Sequence, residues 1–368
     1  MDPSLPDPNV RNNGKRKARI SKLLLQMKSI KFLLVGCGTI GERHAMLAHK
    51  KGMLIAVCDI DKQKVKSFSK QFACYGYTSL DAMLQSETEA DVLIVCTPNG
   101  MHATHSIKGL KAGLNIMCEK PMALTTADCK KMIAASVKAN KHLLIVKQNR
   151  LNPPVEAVKK LLHQKKLGTV YSVQINCYWN RNKQYYQQSN WRGTKKMDGG
   201  VLYTQFSHFI DLFYWYFGEL KTVKGFTANL AHGKKIEVED TGVFSFVTKT
   251  GVPGTLHYST NAANKNYEGS VTILAEKATI KIGGPYLNTI EYQEPVFKNL
   301  KELNKGNVPN QYKGYEGSMN NHDKVYDEFL QVIAGKQKKY TSGEEAIHSV
   351  EMIEQFYKVG RKLPAING

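Results

Sequence analysis

Five short apolar runs, at 32–35, 54–58, 92–96, 114–118 and 143–147, punctuate the first part of the chain, each followed by a stretch that reads as helix. Apolar strand alternating with helix builds a parallel, doubly wound sheet, because parallel neighbours need a crossover connection. The first run, Phe32-Leu33-Leu34-Val35, leads straight into Gly36-Cys37-Gly38-Thr39-Ile40-Gly41 and then a helix. The glycines let the backbone turn sharply and approach a pyrophosphate, and the helix start offers unpaired N–H groups to that anion. A GxGxxG run alone is a weak signal; the strand before it and the helix after it give it weight. The second run ends at Asp59, 18 residues after Gly41. A carboxylate there can accept both hydroxyls of an adenosine ribose and repels a 2′-phosphate. The sequence therefore places NAD, rather than NADP, on Gly36, Gly38, Thr39, Ile40, Gly41 and Asp59.

Ligands of open α/β sheets bind at the carboxyl ends of the strands. The third run ends in Thr97-Pro98-Asn99-Gly100, with His102 just beyond, and the fourth ends in Glu119-Lys120-Pro121. These turns add Thr97, Pro98, Asn99, His102, Glu119 and Lys120 to the expected cofactor site; for His102 a helix-capping role is the alternative. A residue before proline is held extended. Lys120 is thus aimed into the crevice, where its ammonium could stabilise a developing alkoxide.

Asn152-Pro153-Pro154 breaks the pattern. Beyond it a helix is expected over about 155–167, a strand over Val170 to Tyr178, a polar and aromatic loop over 179–200 and a helix over about 200–217. Antiparallel strands are expected over 221–295, where turns fall at Gly-rich points. An irregular stretch over 296–318 and two helices, about 321–334 and 343–360, complete the chain. The fold class is α/β, with an N-terminal doubly wound domain over 31–150 and a second α/β domain over 151–368. Thr204, His208 and Asp211 follow an i, i+4, i+7 spacing, which puts them on one helical face. His208, near neutrality, suits removal of a hydroxyl proton; the alternative is a histidine tethered to Asp211 for packing. His322 reads as a substrate contact or a plain surface residue.

The chain carries 52 Lys and Arg against 31 Asp and Glu, a net charge of +21. Residues 1–30 read as a basic, flexible tail, and the body remains basic without it. Such a body attracts anions such as a phosphorylated metabolite; a solvated lysine-rich surface explains the same numbers, and no nucleic-acid recognition motif is present. No apolar stretch is long enough to span a bilayer, and the seven scattered cysteines lack metal-ligand or disulfide spacing. These features imply a cytoplasmic location and no metal.

Taken together, GCGTIG at 36–41, Asp59, TPNGMH at 97–102, CEKP at 118–121 and the GG…H..DL pattern over 199–212 resemble the Gfo/Idh/MocA family of nicotinamide-dependent sugar oxidoreductases. The resemblance implies a Rossmann domain followed by an α/β domain with a large, open, mostly antiparallel sheet. It also implies a homodimer or homotetramer, and hydride transfer at a carbinol served by Lys120 and His208. Many members carry an Asp four residues before that His; here the position is Thr204. A Lys–His pair without the Asp is similar to the nucleotide-sugar branch. That branch includes the 3-dehydrogenases of UDP-N-acetylglucosamine and of its uronate, and its WRGT…DGG approach is matched at 191–194 and 198–200. Arg181, Trp191 and Arg192 are then the expected handle for a UDP-sugar, with Thr204 and Gln205 beside the sugar. A dehydrogenase of a free sugar, inositol or sugar acid is the in-class alternative, and a non-catalytic NAD-sensing regulator the other. The direction of the reaction is open.

Overall fold

Six strands form one sheet in the computed structural model, which describes residues 29–303, 306–312, 315–338 and 340–364. The basic tail expected over 1–30 lies outside the described residues except for its last two positions. The strands are β1 (Lys31–Val35), β2 (Met53–Cys58), β3 (Tyr75–Tyr77), β4 (Val92–Val95), β5 (Asn115–Cys118) and β6 (Leu143–Ile145). They pair in the order β3-β2-β1-β4-β5-β6, every pair parallel. Phe32, Leu33 and Leu34 are fully buried. A parallel strand covered by helices on both faces has no solvent side, so its sequence reads as continuous apolar rather than alternating. The edge strand β3, Tyr-Gly-Tyr, is too short and too exposed to give that signal, and the sequence pattern missed it.

The covering helices are α1 (Thr39–Lys51), α2 (Lys62–Phe72), α3 (Leu80–Ser86), α4 (His102–Lys111) and α5 (Thr126–Ala139). The chain order reverses between β1 and β4, so the carboxyl ends of these two strands flank the crevice where such sheets take ligands.

After α6 (Pro153–His163), which opens on two prolines, the chain enters β7 (Val170–Tyr178). Then come three helices, α7 (Lys183–Gln187), α8 (Val201–Thr204) and α9 (Ser207–Phe217). Next are β8 (Leu220–Ala228), β9 (Thr241–Thr248), β10 (Pro253–Ser259), β11 (Glu268–Ala275), β12 (Ala278–Gly283) and β13 (Thr289–Glu294). These join β7 and the short β16 (Arg361–Lys362) in an eight-stranded sheet of order β13-β12-β11-β7-β10-β9-β8-β16. It is antiparallel apart from β10–β7 and β16–β8. Val173, Ile175 and Cys177 of β7 point into the core beneath α9, while Gln174 between them is exposed, the alternation of a sheet covered on one face.

The stretch over 296–318 holds the short helix α10 (Lys298–Lys301) and a hairpin of β14 (Pro309–Tyr312) and β15 (Tyr315–Met319). Helices α11 (His322–Ile333) and α12 (Gly343–Val359) follow. Val325, Tyr326 and Phe329 of α11 belong to the same apolar cluster as Phe32, Leu34 and Val57 of the first sheet. No helix among the described residues is long and apolar enough to cross a membrane, and all seven cysteines are free.

The expected single helix over 200–217 is two helices. The chain leaves α8 at Gln205 and restarts at Ser207, so Thr204 and His208 do not share one continuous helical face.

Candidate active site

The Gly36–Gly41 turn is built for close approach. Gly36 has φ of +100°, and a β-carbon there would sit 2.5 Å from the Cys96 carbonyl oxygen. A β-carbon on Gly41 would meet the Gly36 oxygen at 2.0 Å, whereas Gly38 faces open space. Helix α1 has Gly38 at its N-cap and no side-chain cap, which leaves its first N–H groups for an anion. Asp59 accepts the Cys37 N–H at 2.8 Å on one oxygen and the Asp61 N–H at 3.0 Å on the other. Its carboxylate is thereby fixed at the mouth of the turn with lone pairs to spare, and the cradle fits a dinucleotide.

The neighbouring strand-end residues are tied into the protein. His102 is buried with Nδ1 2.7 Å from the Pro121 oxygen and Nε2 2.8 Å from the Thr97 oxygen, so it clamps two turns together. Burial lowers its pKa, against the pull of those two carbonyls. Thr97 Oγ1 lies 3.1 Å from His105 Nδ1. Asn99 donates from Nδ2 to the Asp198 oxygen and to Thr204 Oγ1, both at 2.8 Å, joining the cofactor crevice to the start of α8.

Lys120 reaches across the crevice and donates to the Thr204 carbonyl oxygen at 2.8 Å. Burial pushes its amine down to about 8; Lys147 and Arg181 add to the shift, while Glu119 and Asp198 oppose it. Glu119 is buried and accepts the Lys120 N–H at 3.1 Å on Oε2. Its Oε1 lies 3.0 Å from His44 Nε2 and 3.2 Å from His322 Nε2. Burial disfavours the Glu119 anion, but these two histidines more than offset that and hold its carboxyl well below the usual range. The Tyr326 hydroxyl lies 3.0 Å from His44 Nδ1. Three donor atoms of His44, Glu119 and His322 fall within 4.8 Å of one another, close enough for one cation to bridge; here hydrogen bonds join them. His322 is only 1% exposed, which rules out the surface reading of this residue.

His208 stands opposite on α9. Its Nε2 lies 3.4 Å from Ser318 Oγ and 3.5 Å from Gln148 Nε2, and its Nδ1 has no hydrogen-bond partner among the described residues. Burial, with Lys120 and Lys147 nearby, holds its pKa well below the usual imidazole value. It is not tethered to Asp211. That carboxylate is taken by Arg150, which donates from Nε at 2.7 Å and from its Nη2 at 2.9 Å, and by the Lys147 ammonium at 3.3 Å. His208 is therefore a neutral, unspent base.

The sequence did not single out Lys147, Gln148, Asn149, Arg150 or Ser318. Gln148 Oε1 and both amide atoms of Asn149 are buried without partners among the described residues. Buried polar atoms without protein partners are free to bond a ligand or water. The available signal was position, since Lys147-Gln148-Asn149-Arg150 is a polar run at the carboxyl end of the sixth strand.

The expected nucleotide handle divides into a spent part and an open part. Arg181 is 2% exposed and stacked with Trp179, Tyr185 and Tyr315 at 5.1–5.2 Å. It donates to Gln205 Oε1 at 2.7 Å, the Asn180 oxygen at 2.6 Å and Asn266 Oδ1 at 3.1 Å. Gln205 in turn donates to the Tyr185 hydroxyl at 2.6 Å, so both ends of its amide are engaged. Arg192 lies over Tyr185 at 4.2 Å and Trp191 at 5.9 Å. It donates from Nη1 to the Tyr185 carbonyl at 3.0 Å and to Gln188 Oε1 at 2.5 Å, and from Nη2 to the Tyr315 hydroxyl at 3.4 Å, leaving Nε unpartnered among the described residues. The Trp191 ring and the Arg192 Nε form the open part.

Comparison with known proteins fits this geometry. Residues 30–147 match the family described as oxidoreductase family, NAD-binding Rossmann fold, and residues 155–281 match the GFO/IDH/MocA C-terminal domain. The WlbA dehydrogenase of Chromobacterium violaceum, solved with NADH and UDP-GlcNAcA, is 36% identical with a TM-score of 0.82, over 91% of this chain and 94% of that one. The WlbA dehydrogenase of Bordetella pertussis, also solved with NADH and UDP-GlcNAcA, is 31% identical with a TM-score of 0.79, over 90% and 96%. The 2,7-anhydro-N-acetylneuraminate hydratase of Escherichia coli (strain K12) is 29% identical over 204 residues, 55% of this chain, and the match spans only 54% of that relative. With two matched family regions and a 36% identical relative aligned along nearly its whole length, the chain belongs to the Gfo/Idh/MocA oxidoreductase family, whose first domain is the NAD-binding Rossmann fold.

Proposed function

We propose that this protein oxidises a ring carbinol of a nucleotide sugar, C3 of a UDP-N-acetylhexosamine or of its uronate. The observation that carries the reading is the pairing of Lys120 with an unspent, neutral His208 in one buried crevice. NAD+ held by Gly36–Gly41 and Asp59 supplies the hydride acceptor. His208 takes the hydroxyl proton, because its imidazole is uncharged at neutral pH and its Nε2 is engaged only by long contacts, 3.4 Å to Ser318 Oγ and 3.5 Å to Gln148 Nε2. Lys120 stays largely protonated at neutral pH, with its amine at about 8, and donates to the carbinol oxygen as negative charge gathers there. Gln148 and Asn149 offer buried donors and acceptors for sugar hydroxyls.

Trp191 suits a uracil through ring stacking, and Arg192 places positive charge beside it for a diphosphate, with its Nε free to donate. The WlbA structures solved with UDP-GlcNAcA support this choice of substrate class. Exposed Tyr171, Leu274 and Tyr292 on the second sheet support a homo-oligomer built on that sheet, which light scattering would detect.

The test is a substrate panel of UDP-sugars, free sugars, inositols and sugar acids, followed by absorbance of the reduced nicotinamide. Lys120→Ala and His208→Ala are each expected to lower turnover by about a hundredfold or more. Near-normal turnover in both variants would overturn the mechanism, and turnover of free sugars alone would overturn the substrate class.

A further inference from the structure

Asp198 is 3% exposed, and none of the ion pairs among the described residues involves it. Its carboxylate accepts the N–H of Gly193 at 2.8 Å, the N–H of Gly200 at 3.4 Å and the hydroxyl of Thr204. Thr204 in turn presents its carbonyl oxygen to the Lys120 ammonium at 2.8 Å and accepts Asn99 Nδ2 at 2.8 Å on its hydroxyl. One residue thus joins a buried carboxylate to the amine of Lys120. The joint is the last residue of α8, just before the break that separates α8 from α9.

We propose that Asp198 is a positioning residue that acts through Thr204 to aim the Lys120 ammonium and to keep it charged. The inference rests on the reading of Lys120 as the group that meets the carbinol oxygen. Two features of the site support it. Burying an anion is costly unless it is used or fully bonded, and this carboxylate accepts the hydroxyl of Thr204, the residue whose carbonyl holds Lys120. The charges around Lys120 are Glu119, Lys147, Arg181 and Asp198. Two are positive and push its proton off; Asp198 is one of the two that retain it. Around Asp198 itself lie Arg192 and Glu239. The competing account is that Asp198 only closes the Gly193–Gly200 turn.

The experiment compares Asp198→Asn and Thr204→Val with the parent protein. Thr204→Val removes the hydroxyl link but keeps the carbonyl that holds Lys120. The first readout is the titration of the Lys120 amine by NMR of 13C-lysine-labelled protein, assigned with Lys120→Arg. The expected result is a fall of about half a unit or more in both variants, the response to losing or weakening a nearby opposite charge. This readout needs no turnover, so it decides the proposal even if no sugar is oxidised. The second readout is kinetic. The alkaline limb of kcat/KM moves down with the amine, kcat falls about tenfold or more through misplacement of the ammonium, and affinity for NAD+ is unchanged. An unmoved Lys120 titration in both variants would overturn the proposal and leave Asp198 as a turn closure. If Asp198→Asn does not fold, Thr204→Val alone decides.

Discussion

Replacing Asp211 with Asn separates a buried charge cluster from its one shared carboxylate. Side-chain exposure is 3% for Asp211, 2% for Lys147 and 7% for Arg150, so water offers little relief. The carboxylate serves three donors, two from Arg150 at 2.7 and 2.9 Å and the Lys147 ammonium at 3.3 Å. An Asn keeps the volume, but its NH2 faces one of these donors, Lys147 loses its counter-charge and Arg150 keeps only the partly exposed Glu345. Removing one partner of a buried pair costs about 3–5 kcal/mol, because the remaining charge stays desolvated. Arg150 also donates to Glu345, which is 35% exposed, so Glu345→Gln is expected to cost about 1 kcal/mol or less. The assay is urea unfolding at fixed pH.

The pH dependence sharpens the test. Burial opposes the Asp211 anion, but Arg150 and Lys147 more than offset it, so its folded pKa lies below the unfolded value. The parent protein therefore has this contribution in full above the ordinary carboxylate range and loses it as pH falls below that range. In the variant, Lys147 is already pushed down by burial and loses its main support. The folded state then binds fewer protons than the unfolded one, and the variant's deficit shrinks as pH rises toward the ordinary lysine range. A loss from Asp211→Asn no larger than that from Glu345→Gln would refute the argument.

The remaining predictions are shorter. Gly38→Ala should leave the melting temperature of the free protein unchanged, since its β-carbon meets nothing, yet weaken NAD+ binding in calorimetry; Gly41→Ala, which collides with the Gly36 oxygen, should lose both. The pH profile of kcat/KM should rise on an acid limb below the ordinary imidazole range as His208 deprotonates, and should fall near pH 8 as Lys120 does. A rate still climbing past that point would remove Lys120 as the proton-bearing group. Burial raises Glu239 to about 7 against hydrogen bonds from the Tyr357 hydroxyl and the Val201 N–H. Its folded pKa exceeds its unfolded one, so stability should decline as pH climbs from the ordinary carboxylate range to about 7, and Glu239→Gln should flatten that slope in thermal melts.

The first sheet was legible because its strands are buried on both faces, and burial on both faces writes itself as an uninterrupted apolar run. β3 escaped because an edge strand of three residues needs no such run. The Gly36–Gly41 turn and Lys120 were legible for a local reason: both sit where a strand stops, and that position is visible in sequence. His208 was legible as a residue type but not in its partners. Helical spacing suggested Asp211, yet Lys147 and Arg150, about sixty residues earlier, outcompete a neutral ring for that carboxylate. Arg181 and Gln205 looked like open polar groups; only the folded chain shows that Arg181 donates to the Gln205 amide oxygen and that the Gln205 amide donates to the Tyr185 hydroxyl. The His44–Glu119–His322 cluster draws on residues 203 positions apart, a distance that no spacing rule covers.

Helix α11 carries a further consequence. Val325, Tyr326 and Phe329 fill the same apolar cluster as Phe32, Leu34 and Val57, and the Tyr326 hydroxyl donates to the His44 oxygen at 3.1 Å. On a ribosome the first sheet emerges long before these side chains exist. Until they arrive, one flank of the cofactor-binding half stays unsealed and exposes apolar surface to chaperones or to other nascent chains. Sealing of that flank thus waits on a segment encoded far downstream, and a stalled or clipped chain lacking α11 would leave it open.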